Sequence, residues 1–208
     1  MKYKIDHIVY GVNNLSEAVA YFKSAYGIEA IMGGKHEHQG THNAIFNLGD
    51  HCYFEIIAKD HNNELSKSDV WMGLDFLKEP KVTRWAIKSI DIQREQAISK
   101  EYNLDMGNLR QGARTKLDGS IMKWDLLMPL SSPEVELMPF FIDWSEDTAH
   151  PTLDLPVAAT LQKIEFYHPE PQIYTSVLHE LNIDVNIIPN SIVQIKVTIQ
   201  GPKGVFTI

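Results

Sequence analysis

The stretch that most constrains this chain is residues 5–22, IDHIVYGVNNLSEAVAYF, where a strand passes directly into an amphipathic helix. Alternation along a strand puts Ile8 and Tyr10 on one face and Ile5, His7, Val9 and Gly11 on the other. The helix carries Leu15, Val19 and Phe22 at helical spacing with Ala18 on a neighbouring row, so it packs on the Ile8 face. Asn14 or Ser16 caps its start and Gly27 ends it. His7 is left on the uncovered face, the one ionisable side chain of this stretch expected to point into a pocket.

The same succession recurs. Residues 28–32 read as a second strand, with Gly33-Gly34 as a turn and a polar loop over 35–40 that carries His36 and His38. Residues 41–48 alternate, placing His42, Ala44, Phe46 and Leu48 under the helix and sending Thr41 and Asn43 to the pocket side. After a turn at Gly49-Asp50, residues 52–58 place Tyr53, Glu55 and Ile57 on one face and Phe54 and Ile56 on the other. Such a βαβββ unit curls into half a barrel and needs a partner over its concave side. A polar connection over 59–80 leads into that partner: strand 82–90, helix 92–102, strand 109–115, a turn at Asp118-Gly119, then strands 121–128 and 137–144. His150-Pro151 and Pro156 mark a boundary, beyond which strand, helix and three strands follow once more. The predicted class is α+β: paired βαβββ modules, about 3–58 and 82–145, form a half-open barrel sheet in a domain over 1–152. A shorter third βαβββ-like copy over 153–208 packs on it or pairs with another chain.

Composition excludes several roles. Nineteen basic against 27 acidic side chains leave a formal charge of −8, which repels polyanions and argues against nucleic acid as a partner. The single cysteine, Cys52, staples nothing internally and suits a reducing compartment. No apolar run approaches the roughly 20 residues that cross a bilayer, and a strand beginning at once after "MKYK" leaves no room for a signal peptide. The expectation is a cytoplasmic monomer or homodimer that handles a small molecule. There is no Gly-rich phosphate loop, Gly-x-Ser-x-Gly elbow, Cys-x-x-Cys or His-Glu-x-x-His.

The runs DHIVYGVNNLSEAVAYF, GGKHEHQGTHNAIFNLGD and YFEII, with GARTKLDGSIMKWDLL and PFFIDWSEDTAHP further on, resemble the glyoxalase-like branch of the vicinal oxygen chelate superfamily over about residues 3–152. That resemblance implies a divalent metal between the modules, held from the first and fourth strands, and by position it implies His7 and Glu55 as ligands. An imidazole and a carboxylate suit Zn, Mn, Ni or non-haem Fe. Sliding the second module on the first matches His7 with Trp85 and Glu55 with about Phe141, neither of which offers a lone pair to a cation. A third ligand would have to be His36, His38 or His42, although parity turns His42 away. Without a metal, His7 and Glu55 form an acid–base pair. Trp85, Trp124, Phe141 and Trp144 are the candidate apolar wall, Thr41 and Asn43 candidate hydrogen-bonding groups, and Arg114 the candidate anchor for a carboxylate or phosphate. Two functions follow: an enzyme of lyase, isomerase or dioxygenase type, or a sequestering module like the superfamily's drug-binding members.

Overall fold

In the computed structural model, described over residues 3–36, 39–67, 72–102, 107, 109–115, 119–129, 134–144 and 148–208, the first module runs in the expected order. Strand β1 (Ile5–Gly11) passes to helix α1 (Leu15–Tyr21), which Asn14 caps by accepting from the Glu17 N–H. A π-helical turn, Phe22–Tyr26, continues α1 until Gly27 adopts a left-handed φ of 73° that an L side chain rarely takes. Then come β2 (Ile31–His36), β3 (Thr41–Gly49) and β4 (Cys52–Lys59). Asp50 and His51, both at positive φ, form the β3–β4 turn, matching the twist of the strands they join.

The second module supplies β5 (Lys81–Lys88), α2 (Ile92–Glu101), β6 (Arg110–Thr115), β7 (Ile121–Leu127) and β8 (Phe140–Trp144). In each module the first strand pairs in parallel with the fourth: β1 beside β4, β5 beside β8. The modules join through antiparallel β1–β5 and through a single β2–β6 pair, Lys35 opposite Thr115, which closes the sheet. The result is an eight-stranded closed barrel in the order β1-β4-β3-β2-β6-β7-β8-β5, rather than a half-open one.

Residues 160–207 form β9 (Thr160–His168), α3 (Gln172–Glu180), β10 (Ile187–Pro189), β11 (Gln194–Gly201) and β12 (Gly204–Thr207). The element succession repeats that of a module, but the pairing does not. Here the sheet order is β10-β9-β11-β12, with the first strand beside the third and no parallel first-to-fourth pair. This sheet packs against the outside of the barrel, and one cluster of buried side chains runs from Ile8, Phe22 and Trp85 into Phe166, Ile195, Val197 and Ile199.

A second, smaller cluster fills the barrel: Val9, Ile57, Ala86, Met122, Trp124, Leu126, Phe140 and Ile142. Its membership corrects two of the pocket-lining expectations. Trp85 stands opposite Ile8 and belongs to the outer core, where its indole N–H donates to the Leu137 carbonyl at 2.8 Å and its ring meets Phe166 at 4.7 Å. The residue opposite His7 is Ala86. Phe141 likewise faces outward beside Ile87, and Phe140 takes the inward position. The sequence match of the two modules is one residue out: along the regular stretch His7–Val9 the partners are Ala86, Trp85 and Arg84, so the β5 position equivalent to His7 is Ala86 and not Trp85. One residue of slip exchanges the faces of every side chain beyond it. None of the described helices is long and apolar enough to cross a membrane.

Candidate active site

At the heart of the barrel lies a void of about 20 Å³ lined by His7, His36, Asn43, Tyr53, Glu55, Arg114, Trp124 and Trp144, with Phe140 and other apolar side chains. It has room for about one water molecule. Of the residues expected from sequence, His7, Glu55, Asn43, Arg114, Trp124, Trp144 and His36 converge there. Thr41 sits one step back, hydrogen-bonded through its hydroxyl to His36 Nδ1 at 2.9 Å. Trp85 and Phe141 are absent for the reason given above, His42 lies half-buried beside Asp60, and His38 and Asp118 fall outside the described residues.

His7 is held from three sides. Its ring stacks on Tyr53 at 4.5 Å and meets the edge of Phe140 at 5.2 Å. Its Nδ1–H donates to Asp6 Oδ1 at 2.7 Å, leaving Nε2 with a lone pair 3.8 Å from Glu55 Oε2. Plain alternation of the sequence does not mark Asp6 as a site residue, because it puts Asp6 on the face opposite His7. It occupies the irregular step between Ile5 and His7, and such a step lets neighbouring side chains turn to the same side. Asp6 Oδ2 also accepts from Trp144 Nε1 at 2.9 Å and His150 Nε2 at 3.3 Å. Burial pushes the Asp6 carboxyl up, but the hydrogen bonds from His150 and His7 outweigh it and hold the group well below the usual carboxylate range. A charged carboxylate behind Nδ1 fixes the tautomer in which Nε2 is the base.

On the other side of the void, Asn43 Nδ2 donates to Glu55 Oε1 while Asn43 Oδ1 accepts from an Arg114 NH1 at 3.3 Å. A line of polar groups therefore crosses the barrel: Arg114, Asn43, Glu55, His7, Asp6, then Trp144 and His150. Two glycines make room for it. A Cβ on Gly33 would lie 2.2 Å from Asn43 Oδ1 and 2.7 Å from the Arg114 guanidinium. One on Gly112 would lie 2.1 Å from Trp124 Nε1. Sequence alone read Gly33-Gly34 as a turn; both lie inside β2, where the missing side chains let Arg114 cross the strand.

The donor set argues against a closed metal site. His7 Nε2 and Glu55 Oε2 face one another, but the inward positions of the second module are Ala86 on β5 and Phe140 and Ile142 on β8, none of them a ligand. Among the described residues no three His, Cys, Asp or Glu side chains converge to hold an ion, whereas protein zinc sites use three or four ligands. A guanidinium stands on the same wall.

Burial lowers the pKa of His36 to about 4, so it is neutral in the folded protein at ordinary pH. With a folded value below the unfolded one near 6.5, its contribution to stability is complete above pH 6.5 and is lost as pH falls from there towards 4. The loss expected over that window is on the order of 3 kcal/mol. Urea unfolding of wild type and His36→Phe at pH 7 and pH 4.5 measures it. A variant as acid-sensitive as the wild type would show that His36 is not the group responsible.

The sequence matches the family described as Glyoxalase-like domain over residues 5–182, so the chain belongs to that family. No curated protein matches it. Among solved structures it is similar to a hypothetical protein from Staphylococcus aureus, with 17% identity, a TM-score of 0.68, and coverage of 99% of this chain and 85% of that one. It also resembles methylmalonyl-CoA epimerase from Mycobacterium tuberculosis, with 15% identity, a TM-score of 0.47, and coverage of 68% and 87%. The Streptomyces coelicolor epimerase in complex with 2-nitronate-propionyl-CoA gives 17%, 0.48, 72% and 99%.

Proposed function

We propose that this chain is an enzyme of isomerase or lyase type that moves a proton on a small molecule beside His7, the side chains between the one-water void and the outer groove parting around Arg114 to admit it. The observation that carries the reading is the Asp6–His7–Glu55 alignment, with Nδ1 of His7 bound to a carboxylate at 2.7 Å and Nε2 facing a second carboxylate at 3.8 Å across the void. His7 Nε2 takes a proton from a carbon beside a carbonyl group. The imidazolium that forms is stabilised by Asp6, and the proton returns to the neighbouring position directly or through Glu55 Oε2. Stacking on Tyr53 keeps the ring in the plane that this transfer needs. A divalent ion, as in other members of the superfamily, would polarise the substrate oxygen. The lack of ligands at the inward positions of β5 and β8 supports assigning the work to the side chains instead.

Sequestration of an aromatic compound without turnover is the second reading, favoured by the Trp124–Trp144 pair, whose rings lie 5.4 Å apart on the cavity wall. Isotope exchange separates the two. Incubating the protein in D2O with a panel of 2-oxo, 2-hydroxy and 3-oxo acids, followed by proton NMR, is expected to show loss of a C–H signal beside the carbonyl for at least one compound. Rates should fall on the order of 10²–10⁴-fold in His7→Gln and Glu55→Gln and stay unchanged with EDTA. Panel members that bind without exchange would favour sequestration, and wild-type rates in both variants would end the assignment. Activity lost to EDTA and restored by Zn, Mn, Ni or Fe would put a metal at the same residues.

A further inference from the structure

We infer that Arg114 is the anion anchor of a ligand with one carboxylate and an apolar tail, the tail lying in the groove outside the barrel. The inference names the substrate class for the proton-transfer reading and rests on it. Arg114 is 6% exposed, yet among the described residues it makes no ion pair with any carboxylate. One guanidinium nitrogen reaches Asn43 Oδ1, another reaches the sulfur of Met122 at 3.1 Å, and Nε is buried without a hydrogen-bond partner. Sulfur is a weak acceptor, and a guanidinium presents five N–H donors in a fork shaped for a carboxylate. A cation is costly to bury without a counter-charge. The Glu55 carboxylate is linked to the guanidinium only through Asn43, so Nε and the nitrogen on Met122 are left without a strong acceptor, a place that an incoming carboxylate fills.

Arg114 is also the side chain shared by two cavities. It lines the void beside His7, and it closes the inner end of an open groove of about 260 Å³ that runs between β2 and residues 149–155. The groove floor is apolar: Ile31, Met32, Ile45 and Met122, with Leu155 opposite. Ile31 and Met32 are 48% and 43% exposed, an arrangement of large apolar side chains that an apolar ligand would cover. Among the described lining residues the one carboxylate is Asp154, which disfavours a tail carrying negative charge. The charge count sets the head group. His36 is neutral, Lys35 is paired with Asp60, and Glu55 and Asp6 stand nearby. Among the described residues lining the groove and the void, Arg114 is the one Arg or Lys, which suits a monoanion rather than a phosphate dianion.

Calorimetric titration of the whole protein with hexanoate, hexanamide, acetate and inorganic phosphate tests this. Hexanoate is expected to bind on the order of tenfold or more tighter than hexanamide, which keeps the tail and loses the charge, and than acetate, which keeps the charge and loses the tail. Arg114→Met should abolish the preference for acid over amide. Gly33→Ala, whose added methyl crowds both Asn43 Oδ1 and the guanidinium, should weaken hexanoate more than hexanamide. Hexanoate binding no tighter than the amide, failing to bind, or binding Arg114→Met as well as wild type would overturn the inference, as would tighter binding of phosphate. The comparison of acid with amide on the wild type decides even if a variant misfolds. Because these probes are read by binding and carry no exchangeable activated proton, a failure here is distinct from a failure of the isotope-exchange experiment.

Discussion

Asp6→Asn is expected to lower turnover on the order of 10³–10⁴-fold while the barrel stays folded. The two oxygens of Asp6 accept from three donors: His7 Nδ1, Trp144 Nε1 and His150 Nε2. An amide has one oxygen. If that oxygen faces Trp144 and His150, the new NH2 meets His7 Nδ1 and forces the proton onto Nε2, so the imidazole no longer offers a base to the void. If it faces His7 instead, two N–H groups are left against an N–H donor, at a cost of about 1–3 kcal/mol for each donor left unsatisfied. Long-range ¹H–¹⁵N spectra of the His7 ring read the tautomer without a substrate: wild type should show protonated Nδ1, and the variant protonated Nε2. Retention of the wild-type tautomer together with the wild-type exchange rate would mean that Asp6 serves packing alone. His150 contributes through the same carboxylate. Its Nδ1 accepts from the Thr152 backbone N–H at 3.3 Å, which leaves Nε2 as the donor to Asp6, so it is a positioning residue.

Trp85→Ala is expected to destabilise the protein by about 3–5 kcal/mol, the cost of emptying a large aromatic site in a close-packed core. In a chain of this size that lowers Tm by roughly 6–20 °C. Trp85 is fully buried between the barrel and the C-terminal sheet, and its loss removes both the contact with Phe166 and the donor to Leu137. Urea unfolding with the denaturation midpoint as the readout measures the cost. A loss below about 1 kcal/mol would indicate that the site collapses on substitution. The same variant should keep its preference for acid over amide, because the indole stands on the far side of β5 from the cavity. Residues 153–208 belong in the same argument. Phe166, Val197 and Ile199 share the core that Trp85 occupies, so cutting the chain before Leu153 exposes that surface and is expected to yield aggregated protein.

Much of the architecture was legible because period and punctuation are local. The alternation of Thr41–Gly49, the helical spacing of Leu15 and Phe22 and the left-handed Gly27 mark elements that depend on a few neighbours. His7 and Glu55 are legible as a pair because local alternation turns each toward the uncovered face of its strand, and the family resemblance points to the same positions. Other features depend on how strands meet. The β1–β5 register puts Ala86 rather than Trp85 opposite His7, and the irregular step before His7 brings Asp6 round beside it. The β2–β6 pair closes the barrel through one contact between residues 80 positions apart. Gly33 is a passage for Arg114 only because β6 lies next to β2.

By itself, then, the order of residues determined two successive βαβββ modules, an acidic surface charge unsuited to polyanions, and an imidazole and a carboxylate turned toward a common interior. Only the tertiary structure decided that the sheet closes, that Asp6 completes the His7 site, that Trp85 and Phe141 are packing, and that Arg114 is buried with no ion pair to a carboxylate among the described residues. The physical reason is that a strand's period assigns faces only up to the next bulge, while pairing between distant strands is set by which register buries the most apolar surface and leaves the fewest polar groups unmet.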